Sequence, residues 1–283
     1  MYLRETLEQI VERRREAIKK DPSLKEAGDF LTILLTDPLF MNDTKRIIDE
    51  CLTFFFAGSQ TSAISSQNLI IALMKQPEYE EKILEEIDSV IIQPHIKEKI
   101  QNGATASEAV KDLDPLDLIT FENGTDMTMF VNCFNESLRM QPPVYFSSSI
   151  ARSETVPTGQ LSIRKGDFVS ISMFHLCNNP DEWIEPGKFI PERFNPDSKY
   201  FLTPSGKRRN PFSFSPFLGG ARICIGKTFV ESVSKLVVPI LTSHFTWKLK
   251  NVDKDKFDFP HNNLTMTESP AVPVVIAKRN IQY

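Results

Sequence analysis

The sequence predicts a mainly α-helical protein with a small β portion. Over much of the first 140 residues the apolar side chains recur at helical spacing, and X-Pro pairs separate the periodic segments. Runs rich in β-branched and aromatic residues, bounded by turn residues, are concentrated between residues 146 and 173. The chain has 283 residues, 41% of them hydrophobic, which is enough for a substantial core.

Charge and cysteine content exclude several classes of function. The formal net charge is -4, so no nucleic-acid partner is indicated. The four cysteines are far apart and form no metal-binding spacing, which is typical of reduced thiols in a cytosol-facing protein. No apolar run is long enough for a membrane span, and no signal peptide is predicted.

The first elements are three helices. An amphipathic pattern covers residues 3–20, and a short apolar helix follows over residues 30–35. Asp43 or Thr44 caps a long helix over residues 44–75. Each of the three ends near an X-Pro pair, which disfavours continuation of a helix.

The middle of the long helix is unusual. Residues 54–62 are apolar nearly all round, which predicts a fully buried helix. Gly58 stands among hydroxyl residues, and this combination has two interpretations. It is either a packing device or a local distortion that leaves a backbone carbonyl free.

Two more helices follow, separated by a polar insertion. Residues 78–90 show an amphipathic pattern, and residues 91–125 are predicted to be short helices and loops without chemistry. Thr125 or Asp126 is expected to cap a helix over residues 125–140.

That last helix carries a possible ion pair. Glu136 and Arg139 are three residues apart and therefore share one face of the helix. This spacing alone has little weight, because exposed pairs of this kind are common. The β signals come next, over residues 146–151, 161–163 and 168–173.

Residues 217–226 read Phe-Leu-Gly-Gly-Ala-Arg-Ile-Cys-Ile-Gly. Cys224 precedes a segment with helical periodicity, and free N–H groups at a helix start stabilise a thiolate. Gly220 permits a tight turn, and Gly226 allows the backbone to approach the sulfur. Arg222 supplies a cation suited to a carboxylate such as a haem propionate. The alternative is a buried free cysteine.

The spacing Phe-x-x-Gly-x-Arg-x-Cys-x-Gly resembles the haem-binding loop of the cytochrome P-450 family. The order of motifs also resembles the carboxy-terminal half of that family, from about residue 13 to residue 283. The resemblance implies that residues 1–283 are the carboxy-terminal part of a single cytochrome P-450-like domain. It also implies that the amino-terminal part of the fold is missing.

The resemblance implies roles for individual residues. Cys224 becomes the axial ligand of haem iron, Arg222 a propionate partner and Phe217 a shield for the thiolate. In the long helix, Ala57 and Gly58 correspond to the oxygen-activating groove.

Two neighbouring residues of the same helix correspond to the proton-handling pair. Thr61 is implied to be the proton-handling alcohol. Gln60 departs from the family, which usually has Asp or Glu there, and an amide does not exchange a proton as a carboxylate does.

The sequence Pro191-Glu192-Arg193-Phe194 resembles a further family motif. Together with the helix pair, it implies a structural triad of Glu136, Arg139 and Arg193. Such a buried network clamps the segment under the haem.

The implied activity is that of a haem-thiolate monooxygenase that contains haem b. It inserts one atom of O2 into a small apolar substrate and receives electrons from a separate partner, a NADPH-dependent flavoprotein reductase or a ferredoxin. Membrane association is expected only through a missing amino-terminal anchor, with the endoplasmic reticulum as the site if a longer parent carries one.

Two other functions stay open from the sequence. Gln60 favours a haem-thiolate enzyme that uses peroxide or isomerises its substrate. A truncated, non-catalytic fragment is the third possibility, because a Phe-rich surface without its covering half would face water and promote aggregation.

Substrate contacts and a docking surface are weaker expectations. The resemblance implies that substrate meets Phe54 and Ala57, residues 144–146 and residues 264–267. A basic patch for an acidic electron donor is expected to include Lys207, Arg208, Arg209 and Lys227, with a solvated loop as the alternative.

Overall fold

A computed structural model describes residues 2–154, 161–250 and 273–279. Two compact units make up the chain, residues 1–60 and residues 61–283, and their boundary falls within the longest helix. The described elements confirm a mainly α-helical architecture with two small antiparallel sheets.

The first unit is built from helices around a small apolar core. Helix α1 spans Tyr2–Lys20, α2 spans Phe30–Thr36, and α3 begins at Thr44. Asp43 caps α3, because its carboxylate accepts a hydrogen bond of 2.9 Å from the N–H of Arg46. The fully buried members of the core are Val11, Leu34, Ile47 and Ile48.

Helix α3 runs from Thr44 to Lys75 without interruption. The structure contradicts the prediction that its middle is fully buried, since Phe54, Phe55 and Phe56 are 37%, 59% and 65% exposed. The core-facing contacts of the first unit are instead made by residues one to two turns earlier, Ile47 and Ile48. The apolar side chains of Phe54, Phe55 and Phe56 are therefore open to solvent.

The second unit contains the remaining helices. Their bounds are α4 Pro77–Ile87, α5 Gln93–Gln101, α6 Ala106–Val110, α7 Pro115–Leu118, α8 Thr128–Met140, α9 Met173–Cys177 and α10 Lys227–His244. A π-helical turn, Asp88–Ile92, joins α4 to α5. The core of this unit packs residues of α3, α4, α8 and α10 against one another, including Leu69, Ile83, Phe130, Leu138 and Val238.

Helix α8 begins later than the sequence predicted. Thr125 and Asp126 belong to a 3-10 turn, and the first helical residue is Thr128. The N-terminal N–H groups of α8 are satisfied from another helix, because the Glu86 carboxylate accepts from the N–H of Met129 at 2.7 Å and of Phe130 at 2.9 Å. A cap supplied by α4 replaces the local cap that was expected.

The sheets are short hairpin-like pairs. Strand β1, Phe146–Ile150, pairs with β2, Phe168–Ser172, with Phe146 opposite Ser172. Strand β3, Phe245–Leu249, pairs with β4, Val274–Lys278, with Phe245 opposite Lys278. The expected strand over residues 161–163 does not form beyond a single bridge at Ile163.

Candidate functional site

The cysteine loop closes on itself through its own backbone. The N–H of Cys224 donates to the carbonyl oxygen of Phe217 at 2.9 Å, and that of Ile223 donates to Gly220 at 3.2 Å. Gly220 has φ +67°, the left-handed region that glycine adopts without strain. The geometry at Gly220 is the tight turn that the sequence predicted there.

The loop also depends on a glycine that the sequence reasoning did not single out. A Cβ atom on Gly219 would lie 2.9 Å from Cε1 of the Phe212 ring, which is closer than real Cβ atoms approach. Any larger residue at this position would therefore displace the ring or the loop. The Gly219-Gly220 pair was the sequence signal for a second required glycine, because the tight turn explains only Gly220.

Cys224 is exposed, so the alternative of a buried free cysteine is wrong. Its neighbours Ile223 and Ile225 are 50% and 82% exposed, which surrounds the thiol with open apolar surface. Gly226 is the N-cap of α10, and a Cβ there would lie 3.8 Å from the Cys224 sulfur. That distance is an ordinary van der Waals contact, so Gly226 brings backbone near the sulfur without strictly requiring glycine.

The other three cysteines differ from Cys224 in their surroundings. Burial raises the pKa of Cys51 and of Cys133, and it raises the pKa of Cys177 to about 11. Cys133 and Cys177 are buried and Cys51 is partly buried, whereas Cys224 is exposed. Among the four cysteines, Cys224 is therefore the most accessible to an external ligand.

Two further loop residues have distinct positions. Arg222 ends the 3-10 turn Gly220–Arg222 and is exposed, and within the described part of the chain its guanidinium has no partner. Phe217 is half-buried and packs against the core of the second unit. An unpaired cation beside an exposed thiol suits a ligand that carries carboxylates.

Glu136, Arg139 and Arg193 meet in the interior, and each side chain is 0% exposed. The Glu136 carboxylate accepts from Arg139 Nε at 2.7 Å and from Arg193 Nε at 3.0 Å. The N–H of Ile190 donates to the same carboxylate at 2.8 Å. The structure thus brings together the three residues of the expected triad.

Both arginines also donate to backbone carbonyls of residues 177–188. Arg139 donates to Cys177 at 3.1 Å and to Pro186 at 2.9 Å, and Arg193 donates to Glu185 at 2.8 Å. Desolvation lowers the pKa of Arg193, and the neighbouring Glu136 carboxylate opposes that shift. The network therefore fixes the segment that leads towards the cysteine loop.

Arg209 does not belong to the expected basic patch. Its guanidinium is half-buried, lies 4.3 Å from the Trp183 ring centroid, and donates to the carbonyl oxygens of Arg193 at 2.6 Å and Tyr200 at 2.9 Å. Burial lowers the pKa of Arg209, as desolvation of a cation does. Lys207 and Arg208 are exposed, so the patch is reduced by one member.

Four residues of α3 have expected roles at the site, and they lie within little more than one helical turn: Ala57, Gly58, Gln60 and Thr61. Ala57 and Gln60 are exposed, and a Cβ atom on Gly58 would meet nothing within 4 Å. The carbonyl oxygen of Thr61 accepts from Ser65 Oγ at 2.8 Å. The helix is regular here, so the local distortion considered for Gly58 is absent from this described segment.

The expected substrate contacts are distributed along the chain. Phe54 is exposed on α3, and residues 144–146 follow the end of α8. Gln141, just before these residues, holds this part of the chain in place. Its carbonyl oxygen accepts from the Asn68 side chain at 3.2 Å, and its side-chain oxygen accepts from the Tyr145 hydroxyl at 2.8 Å. Residues 264–267 lie outside the described residues.

Over residues 2–154, 161–250 and 273–279, no group of three or more His, Cys, Asp or Glu side chains is placed to hold a metal ion. In those ranges no helix combines the length and apolar character needed to cross a bilayer.

Comparison with known proteins identifies relatives along nearly the whole chain. Residues 1–274 match the family described as "Cytochrome P450". The chain is 33% identical over 234 residues to "Cytochrome P450 4A10" of Rattus norvegicus. This match covers 81% of this chain and 39% of that protein. It is 32% identical over 249 residues to "Cytochrome P450 4A12B" of Mus musculus, covering 84% of this chain and 42% of that protein.

A solved structure shares the fold. The "Crystal structure of cytochrome P450DA heme domain" superposes with a TM-score of 0.72 at 19% sequence identity, covering 98% of this chain and 54% of that chain. The chain thus spans well under half the length of the two curated relatives named above. On the match over residues 1–274 and on identities above 30%, the chain belongs to the cytochrome P450 family.

Proposed function

We propose that this chain is the haem-ligating part of a haem-thiolate monooxygenase. The observation that carries the proposal is the exposed Cys224 thiol in a closed loop, within a chain of the cytochrome P450 family. The reaction consumes one O2, two electrons delivered singly and two protons. One oxygen atom enters an apolar organic substrate, and the other leaves as water.

The residues of the loop fit haem b. Exposed Ile223 and Ile225 offer apolar contact to a flat macrocycle, and Cys224 offers the sulfur ligand. Since Arg222 has no ion-pair partner among the described residues, its guanidinium is available to a propionate carboxylate. When bound, haem would supply the oxygen-activating chemistry, which a thiolate ligand favours.

The α3 residues supply proton handling and apolar surface. In this proposal Ala57 and Gly58 form the open groove, since a side chain at Gly58 would meet nothing within 4 Å. The Thr61 hydroxyl holds the water that donates protons, and the Gln60 amide hydrogen-bonds that water without exchanging a proton. The proton supply of this site is therefore weaker than that of one with a carboxylate at residue 60.

We assign the remaining partners from the same reasoning. Electrons come from a separate protein, a NADPH-dependent flavoprotein reductase or a ferredoxin, as the family membership suggests. The substrate is a small apolar molecule. The site faces the cytosol, at the endoplasmic reticulum membrane if a longer parent carries an anchor.

Absorption spectra test haem ligation directly. The chain is expressed with haem supply, reduced with dithionite, and measured with and without carbon monoxide. We expect a strongly red-shifted Soret band in the wild type and in Cys51→Ser, and loss of that band in Cys224→Ser. Soluble, folded wild-type protein without haem would contradict the proposal for this chain and favour the non-catalytic fragment.

Gln60 favours a second candidate, a haem-thiolate enzyme that uses peroxide or isomerises its substrate. The Gln60→Glu variant separates the two reactions. An increase in reductase-driven turnover supports the monooxygenase, because the added carboxylate restores proton exchange. Unchanged reductase-driven turnover beside strong peroxide-driven turnover supports the second candidate.

A further inference from the structure

Arg209 stands between the buried triad and the cysteine loop. Its Nη2 donates to the carbonyl oxygen of Arg193, a member of the triad, at 2.6 Å. Its Nη1 donates to the carbonyl oxygen of Tyr200 at 2.9 Å. The Arg209 guanidinium therefore holds together the two ends of the segment 193–200. Arg209 is also the residue from which the contacts towards Cys224 begin.

The same guanidinium is held on an aromatic face. It lies 4.3 Å from the centroid of Trp183, and Arg139 lies 5.3 Å from the same ring. Trp183 is 1% exposed, and its indole N–H donates to the carbonyl oxygen of Leu176 at 3.3 Å. The ring is thus fixed, and it presents a rigid surface against which a planar cation is oriented.

Charge pairing does not explain this position. Within the described residues no carboxylate forms a salt bridge with Arg209, and both of its hydrogen-bond acceptors are neutral carbonyl oxygens. Glu136 and Glu182 attract this cation only from beyond salt-bridge distance, so its orientation is set by the two hydrogen bonds and the Trp183 ring. The planar fork of arginine is the feature that reaches both carbonyls while lying flat on an indole.

The residues after Arg209 continue these contacts to the cysteine loop. The N–H of Asn210 donates to the Glu182 carboxylate at 2.9 Å, and the Asn210 side chain accepts from the N–H of Phe212 at 2.9 Å. Phe212 then packs against Gly219, where a Cβ would approach its ring to 2.9 Å. A continuous set of contacts connects Arg209 with the turn that precedes Cys224.

We propose that Arg209 is a positioning residue that sets the cysteine loop relative to the triad, as a third arginine beside Arg139 and Arg193. The inference rests on the proposed function, because it concerns the loop that is to ligate haem. Arg209 acts on the position and closure of the cysteine loop, and it does not touch any reacting group.

Hydrogen exchange on the 283-residue chain without haem tests the positioning. The N–H of Cys224 is bonded to Phe217, so the peptide covering residues 217–226 reports closure of the loop. In Arg209→Gln two carbonyls lose a charged donor, and we expect exchange in that peptide to rise about 10-fold. Arg208→Gln is the matched control, because Arg208 is exposed and adjacent, and it should leave exchange unchanged.

A second variant and a second peptide distinguish positioning from general stability. Arg209→Lys keeps the charge but not the planar fork, so we expect it to resemble Arg209→Gln. Recovery of protection in the lysine variant would overturn the proposal, since charge alone would then suffice. An equal rise in the peptide covering α4 would also overturn it, because Arg209 would then support the whole unit.

The haem-loaded chain supplies an independent comparison. We expect Arg209→Gln to retain roughly 10-fold less thiolate-ligated haem than Arg208→Gln at matched haem supply, read from the red-shifted carbon monoxide band. Equal retention in the two variants would overturn the proposal. If the wild type itself holds no haem, the proposed function fails for this chain, and the exchange comparison still decides the role of Arg209.

Discussion

Glu136 shows how one residue can satisfy several constraints. Its two carboxylate oxygens accept from Arg139, Arg193 and the backbone of Ile190, and the three triad side chains are all 0% exposed. The triad carries one negative and two positive charges, and backbone carbonyls solvate the excess cation. Such a network is costly to break, because removal of one member leaves buried charges without partners.

Removal of the shared carboxylate is the sharpest test at this scale. We expect Glu136→Ala to lower the free energy of unfolding by about 3–5 kcal/mol. Urea denaturation followed by tryptophan fluorescence measures this, since Trp183 lies beside Arg139. Glu231→Ala is the control: its pair with Lys227 at 3.9 Å is partly exposed, and we expect a change of about 0–1 kcal/mol. A similar effect of both substitutions would refute the role of the buried network.

At the scale of elements, the start of α8 is completed by a residue from elsewhere in the fold. The N-terminus of α8 is capped by Glu86 of α4, although these residues are more than forty positions apart. Desolvation raises the pKa of Glu86, and the backbone N–H groups of α8 oppose that shift. The cap orients the helix that carries Glu136 and Arg139.

Loss of this cap should weaken α8 specifically. We expect Glu86→Ala to lower the free energy of unfolding by about 0.5–2 kcal/mol, the usual effect of losing an N-cap acceptor. The neighbouring Glu85 is exposed, so Glu85→Ala should leave stability unchanged and serves as the control. Chemical denaturation of both variants gives the comparison, and equal stabilities would show that the Glu86 hydrogen bonds carry no net free energy.

A second contact between elements predicts a pH dependence. The pKa of Asp114 is lowered by the backbone N–H of Leu116 and by His244, the last residue of α10, whose Nε2 is 2.8 Å from the carboxylate. A lowered folded pKa means that the stabilisation is present above the unfolded pKa of about 3.9 and is lost as pH falls through the folded pKa.

Asp114→Asn keeps the acceptor for Leu116 and removes the charge. Because Asp114 is 47% exposed, we expect the variant to be less stable than the wild type at pH 6 by at most about 1 kcal/mol. The two proteins should become equally stable at a pH below the folded pKa. Urea midpoints measured from pH 2 to pH 7 follow this convergence, and a difference that stays constant with pH would contradict the assignment.

At the scale of the whole molecule, exposed apolar surface governs solution behaviour. Phe55 and Phe56 are 59% and 65% exposed in the first unit, and Ile225 is 82% exposed beside Cys224 in the second. Large exposed apolar surfaces mark binding sites or promote aggregation. The surface near Cys224 is consistent with haem contact, whereas the two phenylalanines have no described partner that would cover them.

Polar replacement of the exposed phenylalanines should therefore improve solution behaviour. We expect the double variant Phe55→Ser, Phe56→Ser to raise the monomeric fraction measured by light scattering, without a loss of thermal stability. Phe134→Ser is the contrasting control, because Phe134 is 3% exposed and its truncation should cost about 3–5 kcal/mol. Unchanged aggregation in the double variant would show that this surface does not drive association.

Local patterns determined much of what the sequence alone could show. Periodicity and an X-Pro break placed α3 close to Thr44–Lys75, and the spacing around Cys224 identified the family, because both signals lie within short stretches of chain. The tertiary structure decided the rest. Glu86 caps a distant helix, and Arg209 stacks on Trp183 inside the fold instead of facing a partner. These contacts depend on desolvation and on the packing of segments far apart in the sequence, and no local pattern encodes either.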